Sequence, residues 1–399
     1  MQIALTLSAA HSTIQVHVYK VAPALTVVEK TVTRALAERF GFTGPHAGGV
    51  AQSGGSAANL TALVVARNCL FPETKTAGCT TNRLVLFTST HGHYSFEKAA
   101  QVCGLGSNAV KPVPVDDQGR MKPEALARMV EEARSKGETP FFVNATAGTT
   151  VLGSYDPFEE IGDLCRREGL WFHVDGSWGG SVVFSDQQRH KLQGAEQAHT
   201  LAVNPHKMLG TPITCSFLLA SDLRQLHKAN TLPAAYLFHT PEGQAETDGE
   251  VAHDPEVWDL ADLTLQCGRR GDALKLALAW EWYGSNGFAK RIDHAFFVAQ
   301  HLATLVDKSA DLVLSSQNPP PCLQVCFYYA PGGVLGPEAE NSAHTRRIAN
   351  KLLKHDFLVD YAPGGSGLFF RVVVSLNTRR ETADALVEKI VELGRQGGA

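Results

Sequence analysis

The chain has 399 residues, 44% of them hydrophobic and 19% charged, which is enough apolar material for a buried core and argues against general disorder. Its 36 basic and 40 acidic residues give a formal net charge of −4, which argues against a nucleic-acid or polybasic membrane partner. No apolar run reaches the roughly 18 residues of a membrane span, and the N-terminal stretch lacks the basic flank of a signal peptide. We therefore expect a soluble cytoplasmic protein of enzyme size.

The eight cysteines are scattered and form no Cys-x-x-Cys pair. Because this spacing does not fit a zinc site, we predict reduced thiols and no metal centre. At about 150 residues per domain, the length fits two or three domains.

The first predicted elements alternate between helices and strands. Helical spacing predicts helices over 23–40 and 56–70, on either side of a glycine-rich stretch at 48–55. Further helices are predicted over 123–136 and 157–168, and strands over 83–88, 109–114, 140–145, 170–175, 200–204 and 213–220. This alternation favours an α/β domain with a mostly parallel sheet covered on both faces.

Residues 233–256 interrupt this pattern with a polar stretch rich in proline and glycine, which predicts a long exposed loop. Helices are predicted again over 271–283 and from there to about residue 308. Strands at 323–329 and 368–376 and helices at 342–355 and 381–393 then predict a smaller α+β domain. We place the boundary between a large domain, 1–285, and a small one, 286–399.

The segment Asn204-Pro205-His206-Lys207 directly follows a predicted strand. A lysine in such a turn can present its amine to a cleft and form a Schiff base with a carbonyl cofactor. Considered alone, a loop lysine is more often simply solvated.

Asp175 ends an otherwise apolar strand, where a carboxylate is costly unless it is paired. Ligands of open α/β sheets bind at the carboxyl ends of the strands, so Asp175 would face the same cleft as Lys207. Considered alone, an aspartate at this position is more often a helix-capping or turn residue.

Small residues over 53–59 open a predicted helix. Its first N–H groups and its dipole favour a phosphate, although an ordinary serine-capped helix explains the pattern equally well. A phosphate seat, a strand-end carboxylate and a lysine together match the requirements of pyridoxal 5′-phosphate.

The motifs are then specific enough to identify a family. The chain resembles the group II pyridoxal-phosphate-dependent amino-acid decarboxylases, in the branch with glutamate, cysteine sulfinate and aspartate 1-decarboxylases. The matching stretches, in family order, are SGGSAANLTALVVAR (53–67), THGHYSFEKAA (90–100), ATAGTTVLGSYDPFEEI (145–161), WFHVDGSWGG (171–180), NPHKMLGTPITCS (204–216), LQCGRRGDALKL (265–276) and LFFRVVVS (368–375). The resemblance implies a fold-type I transferase-like architecture with a mostly parallel seven-stranded sheet, and a homodimer.

The resemblance also implies residue roles. Lys207 would bind the cofactor aldehyde, Asp175 would hold the ring nitrogen protonated, and His93 would stack on the ring. His206 would carry a proton, and Arg371 would bind the substrate α-carboxylate, with an internal salt bridge of Arg371 as the alternative. The candidate cofactor-binding residues are Gly55, Ser56, His93, Thr149, Asp175, Ser177, Asn204 and Lys207.

The chain departs from the family in two places. The loop after Tyr236-Leu237-Phe238 lacks the tyrosine that protonates the product in relatives, and His253 is the candidate substitute acid. A solvated loop histidine is the equal alternative. The family's N-terminal segment is incomplete over 1–22, which leaves the substrate open.

We therefore expect α-decarboxylation of a small acidic amino acid, giving an amine and carbon dioxide. The alternatives are an aldehyde-forming or aminotransferase-like enzyme and a catalytically impaired cofactor-binding homologue.

Overall fold

The computed structural model describes residues 16, 18–79, 82–232 and 256–396. The predicted loop and its candidate acid, His253, lie outside these residues, and so does most of the N-terminal segment. None of the described helices is long and apolar enough to cross a membrane.

The larger sheet has seven described strands in the order β1-β7-β6-β5-β4-β2-β3. These are β1 Gly48–Gln52, β2 Leu84–Ser89, β3 Val110–Val113, β4 Thr139–Thr146, β5 Trp171–Gly176, β6 Thr200–Val203 and β7 Ser216–Ala220. The four pairings from β6 to β3 are parallel, whereas β7 pairs antiparallel with both β6 and β1. The predicted α/β class with a mostly parallel seven-stranded sheet is confirmed.

Helices cover both faces of this sheet. They are α1 Pro23–Arg39, α2 Gly55–Leu70, α3 Thr74–Ala77, α4 Ser95–Val102, α5 Pro123–Ser135, α6 Phe158–Glu168 and α7 Leu223–Asn230. Leu84 and Leu86 of β2 pack into one buried cluster with α2, α4 and α7, whereas Val85 and Phe87 pack into another with α1, α5 and α6. This alternation follows from the two-residue period of a strand.

The C-terminal part contains an antiparallel sheet in the order β10-β11-β9-β8. Its elements are α8 Ala273–Lys308, β8 Leu312–Leu314, β9 Gln324–Tyr329, α9 Glu338–Leu352, β10 Asp360–Gly364, β11 Gly367–Val373 and α10 Arg380–Arg395. Helix α8 is broken at Gly284, where φ is 64°. The predicted domain boundary falls one residue after this break.

The sequence missed β1, because its glycines predicted only a loop. All five residues of β1 are buried, and Val50 and Ala51 lie opposite Leu218 and Phe217 of β7. A β-carbon at Gly49 would approach the Leu218 carbonyl oxygen to 2.7 Å, so glycine is required by this close strand contact.

Candidate active site

The site lies where two parallel strands end. Strands β5 and β6 are neighbours and run in the same direction, so Asp175 and the turn after Val203 lie at one edge of the sheet. Helix α2 begins at Gly55 beside them. A cavity of about 210 Å³ at this edge is lined by eight of the predicted site residues: Gly55, Ser56, His93, Asp175, Ser177, Asn204, His206 and Lys207.

One side of the cavity fits an anion at the start of α2. A β-carbon on Gly55 would lie 2.5 Å from Ser177 Oγ and 2.7 Å from Asn204 Nδ2, so these groups converge on a position that only glycine leaves open. Ser177 Oγ and Asn204 Oδ1 are buried and have no hydrogen-bond partner among the described residues. Buried polar groups rarely lack partners, and a helix N-terminus attracts phosphate, so this corner fits a phosphate group.

Asp175 is 5% exposed and keeps its charge through hydrogen bonds. Its Oδ1 accepts from the Ser177 N–H at 3.0 Å, and its Oδ2 accepts from Asn59 Nδ2 at 2.9 Å. Burial by itself would raise the pKa of Asp175, but the side chain and N–H of Ser177, the Asn59 amide and the neighbouring His173 outweigh burial and lower it. A buried, ionised carboxylate at this edge fits a protonated ring nitrogen.

Lys207 lines the cavity. The surrounding protein desolvates the ammonium and lowers the pKa of Lys207, an effect that Asp175 opposes and Arg371 reinforces. A lowered pKa increases the fraction of neutral, nucleophilic amine.

Two histidines border the cavity as neutral rings. The Ser95 N–H donates to His93 Nδ1 at 3.2 Å, and burial lowers the pKa of His93. His206 Nδ1 lies 2.7 Å from the Cys215 carbonyl oxygen, and burial lowers its pKa as well. The Cys215 N–H also donates to His206 Nδ1 at 3.1 Å, so the backbone of Cys215 engages this nitrogen of the ring.

The cavity wall after β4 differs from the expectation at one position. Thr150 lines the cavity together with Thr146 and Gly148. In contrast, Thr149 Oγ1 accepts a hydrogen bond from the Ser154 N–H at 3.0 Å. The turn thus places the second threonine of the Gly-Thr-Thr motif at the site and uses the first to close itself.

Arg371 lies on β11, behind this wall. Its Nε donates to the Thr150 carbonyl oxygen at 2.8 Å, and its Nη1 lies 3.4 Å from Asp360 Oδ2. The salt bridge that the sequence left as an alternative is therefore present, but Asp360 is an exposed partner, so an exposed pair of this kind contributes little to stability.

The sequence reasoning missed Asn59 and His173, which are buried behind Asp175. A local signal existed for each: Asn59 lies four residues after Gly55 on the same helix, and His173 lies two residues before Asp175 on the same strand. Residues at these spacings share a face of a helix or a strand.

The comparisons with known proteins agree with this geometry. Residues 3–330 match the pyridoxal-dependent decarboxylase conserved domain. The chain is 53% identical over 382 residues to L-aspartate decarboxylase dtxS4 of Metarhizium robertsii, covering 96% of this chain and 74% of that protein. It is 38% identical over 391 residues to human cysteine sulfinic acid decarboxylase, covering 95% and 76%.

The fold is also that of a solved relative. The crystal structure of mouse CSAD matches with a TM-score of 0.89 and 34% identity, covering 98% of this chain and 81% of that one. A family match over most of the chain and an edge of the sheet that fits both ends of the cofactor lead to the same conclusion: the chain belongs to the pyridoxal-dependent decarboxylases, fold-type I enzymes whose cofactor is pyridoxal 5′-phosphate.

Proposed function

We propose that the chain removes the α-carboxyl group from a small acidic amino acid, namely aspartate, cysteine sulfinate or glutamate, and releases the amine. The observation that carries this proposal is that Lys207 and Asp175 line the same cavity. Beside them, near Gly55, lie Ser177 Oγ and Asn204 Oδ1, which have no hydrogen-bond partner among the described residues. The acidic substrate class is supported by two relatives, the L-aspartate decarboxylase of Metarhizium robertsii and the human cysteine sulfinic acid decarboxylase.

In this proposal the cofactor is held at three points. The start of α2 at Gly55 and Ser56, with Ser177 and Asn204, would hold the phosphate. Asp175 would accept a hydrogen bond from the protonated ring nitrogen, and Lys207 would bind the aldehyde group. His93 supplies a flat neutral wall, and Thr149 contributes through the fold of its turn, which sets Thr150 in the cavity wall.

The bound cofactor supplies an electron-withdrawing ring that accepts the electrons of the bond broken when carbon dioxide leaves. Arg371 binds the α-carboxylate, which requires its guanidinium to exchange the exposed Asp360 for the substrate. His206 moves a proton at Nε2. His253 as the final proton donor stays a prediction from the sequence.

The charges around the cavity support an acidic substrate. Lys98 Nζ lies 4.7 Å from the centre of the Tyr94 ring, which lines the cavity mouth next to His93. Because Lys207 is assigned to the cofactor and Arg371 to the α-carboxylate, Lys98 is the basic group left for a second acidic group of the substrate. A substrate with a second acidic group is attracted to such a basic group.

The test is a panel of amino acids with carbon dioxide and amine measured together. We expect equal amounts of both from an acidic substrate, and from Lys207→Ala neither turnover nor the visible absorption of the lysine-bound cofactor. Lys191→Ala, which removes a lysine remote from the cavity lining, should keep both. An aldehyde in place of the amine would support an aldehyde-forming enzyme, and cofactor binding without turnover would support an impaired homologue.

We further propose that the chain forms a homodimer, with a large domain at 1–285 and a small one at 286–399. The apolar side chains of Ile213 and Trp282 are 73% and 71% exposed, which is consistent with a surface that a second copy covers. Light scattering of the purified protein should give twice the chain mass, and a monomer mass at micromolar concentration would contradict the proposal.

A further inference from the structure

We propose that His173 is a positioning residue for the cofactor: through Asn59 it holds the Asp175 carboxylate in place and ionised. This inference rests on the proposed role of Asp175. It assigns the positioning of that carboxylate to His173 and Asn59, two buried residues that do not both line the cofactor cavity. Both are almost completely inaccessible, at 0% exposure for His173 and 1% for Asn59.

Asn59 is the direct link to the carboxylate. Its Nδ2 donates to Asp175 Oδ2 at 2.9 Å and to Ser95 Oγ at 3.0 Å. Because a carboxylate only accepts hydrogen bonds, the amide nitrogen must face Asp175, and the amide oxygen must face the other way. That oxygen lies 3.1 Å from His173 Nε2.

This orientation fixes the proton on His173. Nε2 must carry a hydrogen to donate to the Asn59 oxygen, so Nδ1 is the acceptor of a neutral ring. Thr200 Oγ1 lies 2.9 Å from Nδ1 and itself accepts from Trp171 Nε1 at 3.0 Å. The donors therefore point in one direction, from Trp171 through Thr200, His173 and Asn59 to Asp175, and bonds aligned in this way strengthen one another.

Packing holds the His173 ring in its place in this series of hydrogen bonds. The ring stacks on Phe142, with centroids 5.7 Å apart and planes at 28°, and meets the edge of Phe96 at 6.0 Å. Burial lowers the pKa of His173 to about 4, so the ring stays neutral at ordinary pH. The titratable groups that act on this series of hydrogen bonds are Asp175 itself and, on the cavity side of Asp175, His93 and Lys207.

The experiment measures the dissociation constant of pyridoxal 5′-phosphate from the unloaded protein, by tryptophan fluorescence, as a function of pH. His173→Phe keeps the ring packing but removes the donor, so Asn59 is no longer fixed and the pKa of Asp175 rises. We expect about tenfold weaker binding of pyridoxal phosphate near neutral pH. As the pH is lowered, the variant should lose its affinity at a higher pH than the wild type does.

Three further variants separate positioning from general structure. His173→Gln supplies an N–H at the position of Nε2 and should restore most of the affinity. His344→Phe is the matched control, since His344 is a half-buried histidine that packs edge-on against Tyr329 at 5.7 Å, away from this series of donors. Thr200→Val keeps His173 and its packing. It should raise the pH below which pyridoxal phosphate binding is lost, as His173→Phe should. This variant keeps the test valid if the His173→Phe protein does not fold.

The decisive comparison is the double variant with Asn59→Ala. Because His173 acts through Asn59, His173→Phe should add little to the loss that Asn59→Ala already causes. Additive losses, or a folded His173→Phe protein with wild-type affinity and acid limit, would overturn the inference. A wild-type protein that binds no pyridoxal phosphate would instead overturn the proposed function.

Discussion

Individual buried polar atoms decide how this site works. Asp175 stays ionised inside the protein because two donors reach its two oxygens, while Ser177 Oγ and Asn204 Oδ1 are buried without a partner among the described residues. The hydrogen bonds to Asp175 lower its pKa, and the two oxygens without a partner can bind a ligand. Buried polar atoms of this site thus either stabilise the charge of Asp175 or remain available to bind a ligand.

The unpaired serine gives a prediction at the residue scale. Ser177→Ala removes a hydroxyl that would bond a charged phosphate, so the dissociation constant of pyridoxal phosphate should rise about tenfold. Ser181→Ala is the matched control, because Ser181 Oγ is equally buried and has no partner within the described ranges, but it does not line the cavity. Equal effects of the two changes in a fluorescence titration would refute the assignment.

The ends of the elements set the shape of the cavity wall. Asp156 follows the turn after β4 and accepts from the Thr146 N–H and the Met121 N–H, each at 2.7 Å. Burial raises the pKa of Asp156 from 3.8 to about 6 in spite of these two donors. Its carboxylate therefore fixes the end of β4 at an electrostatic cost.

This cost predicts a pH dependence of stability. Because the pKa of Asp156 is higher in the folded than in the unfolded chain, its contribution is fully present below about pH 4 and is lost as the pH rises through 6. Relative to Asp156→Asn, the wild type should lose about 2 kcal/mol of unfolding free energy between pH 4 and pH 7. Urea denaturation measures this difference. The exposed Asp163→Asn should give a curve parallel to that of the wild type, and a parallel curve for Asp156→Asn would contradict the argument.

The break in α8 carries a second prediction at this scale. Gly284 has φ of 64° and ψ of 170°, a conformation that is nearly exclusive to glycine and costs other residues about 1–3 kcal/mol. Gly284→Ala should lower the free energy of unfolding by about that amount, although space is open around the added methyl group. Asn286→Ala, two residues on and exposed, should not destabilise the protein. An unchanged denaturation midpoint for Gly284→Ala would show that the backbone relaxes there.

At the scale of the whole molecule, the small sheet supports the wall of the site in the large one. Gln324 of β9 is completely buried, donates to the carbonyl oxygens of Thr149 and Thr150 at 3.0 and 3.3 Å, and accepts from Trp178 Nε1 at 3.1 Å. Arg371 of β11 binds the same stretch of backbone. The cavity therefore depends on contacts between residues more than 140 positions apart in the chain.

Gln324→Leu should show this dependence directly. The change leaves two carbonyls and an indole N–H without their partner, which costs about 1–3 kcal/mol of stability. Because Thr150 and Trp178 line the cavity, binding of pyridoxal phosphate should also weaken. Gln101→Leu, on the exposed surface of α4, should change neither the thermal midpoint nor the dissociation constant. A stable Gln324→Leu protein with normal binding would contradict the supporting role.

The sequence by itself determined the fold class and the cofactor chemistry. Both depend on local patterns: alternating strands and helices, and reactive residues directly after strands, where parallel topology brings strand ends together. For that reason Gly55, Asp175 and Lys207 could be placed at one edge of the sheet before any coordinates were known.

Only the tertiary structure decided how those residues are supported. No local period indicates that Gly48–Gln52 pairs with a strand far along the chain, that Asn59 reaches Asp175 and His173, or that Gln324 braces the turn in which Thr150 rather than Thr149 faces the cavity. These contacts join distant residues through buried hydrogen bonds, whose partners are fixed by packing in three dimensions and not by spacing along the chain.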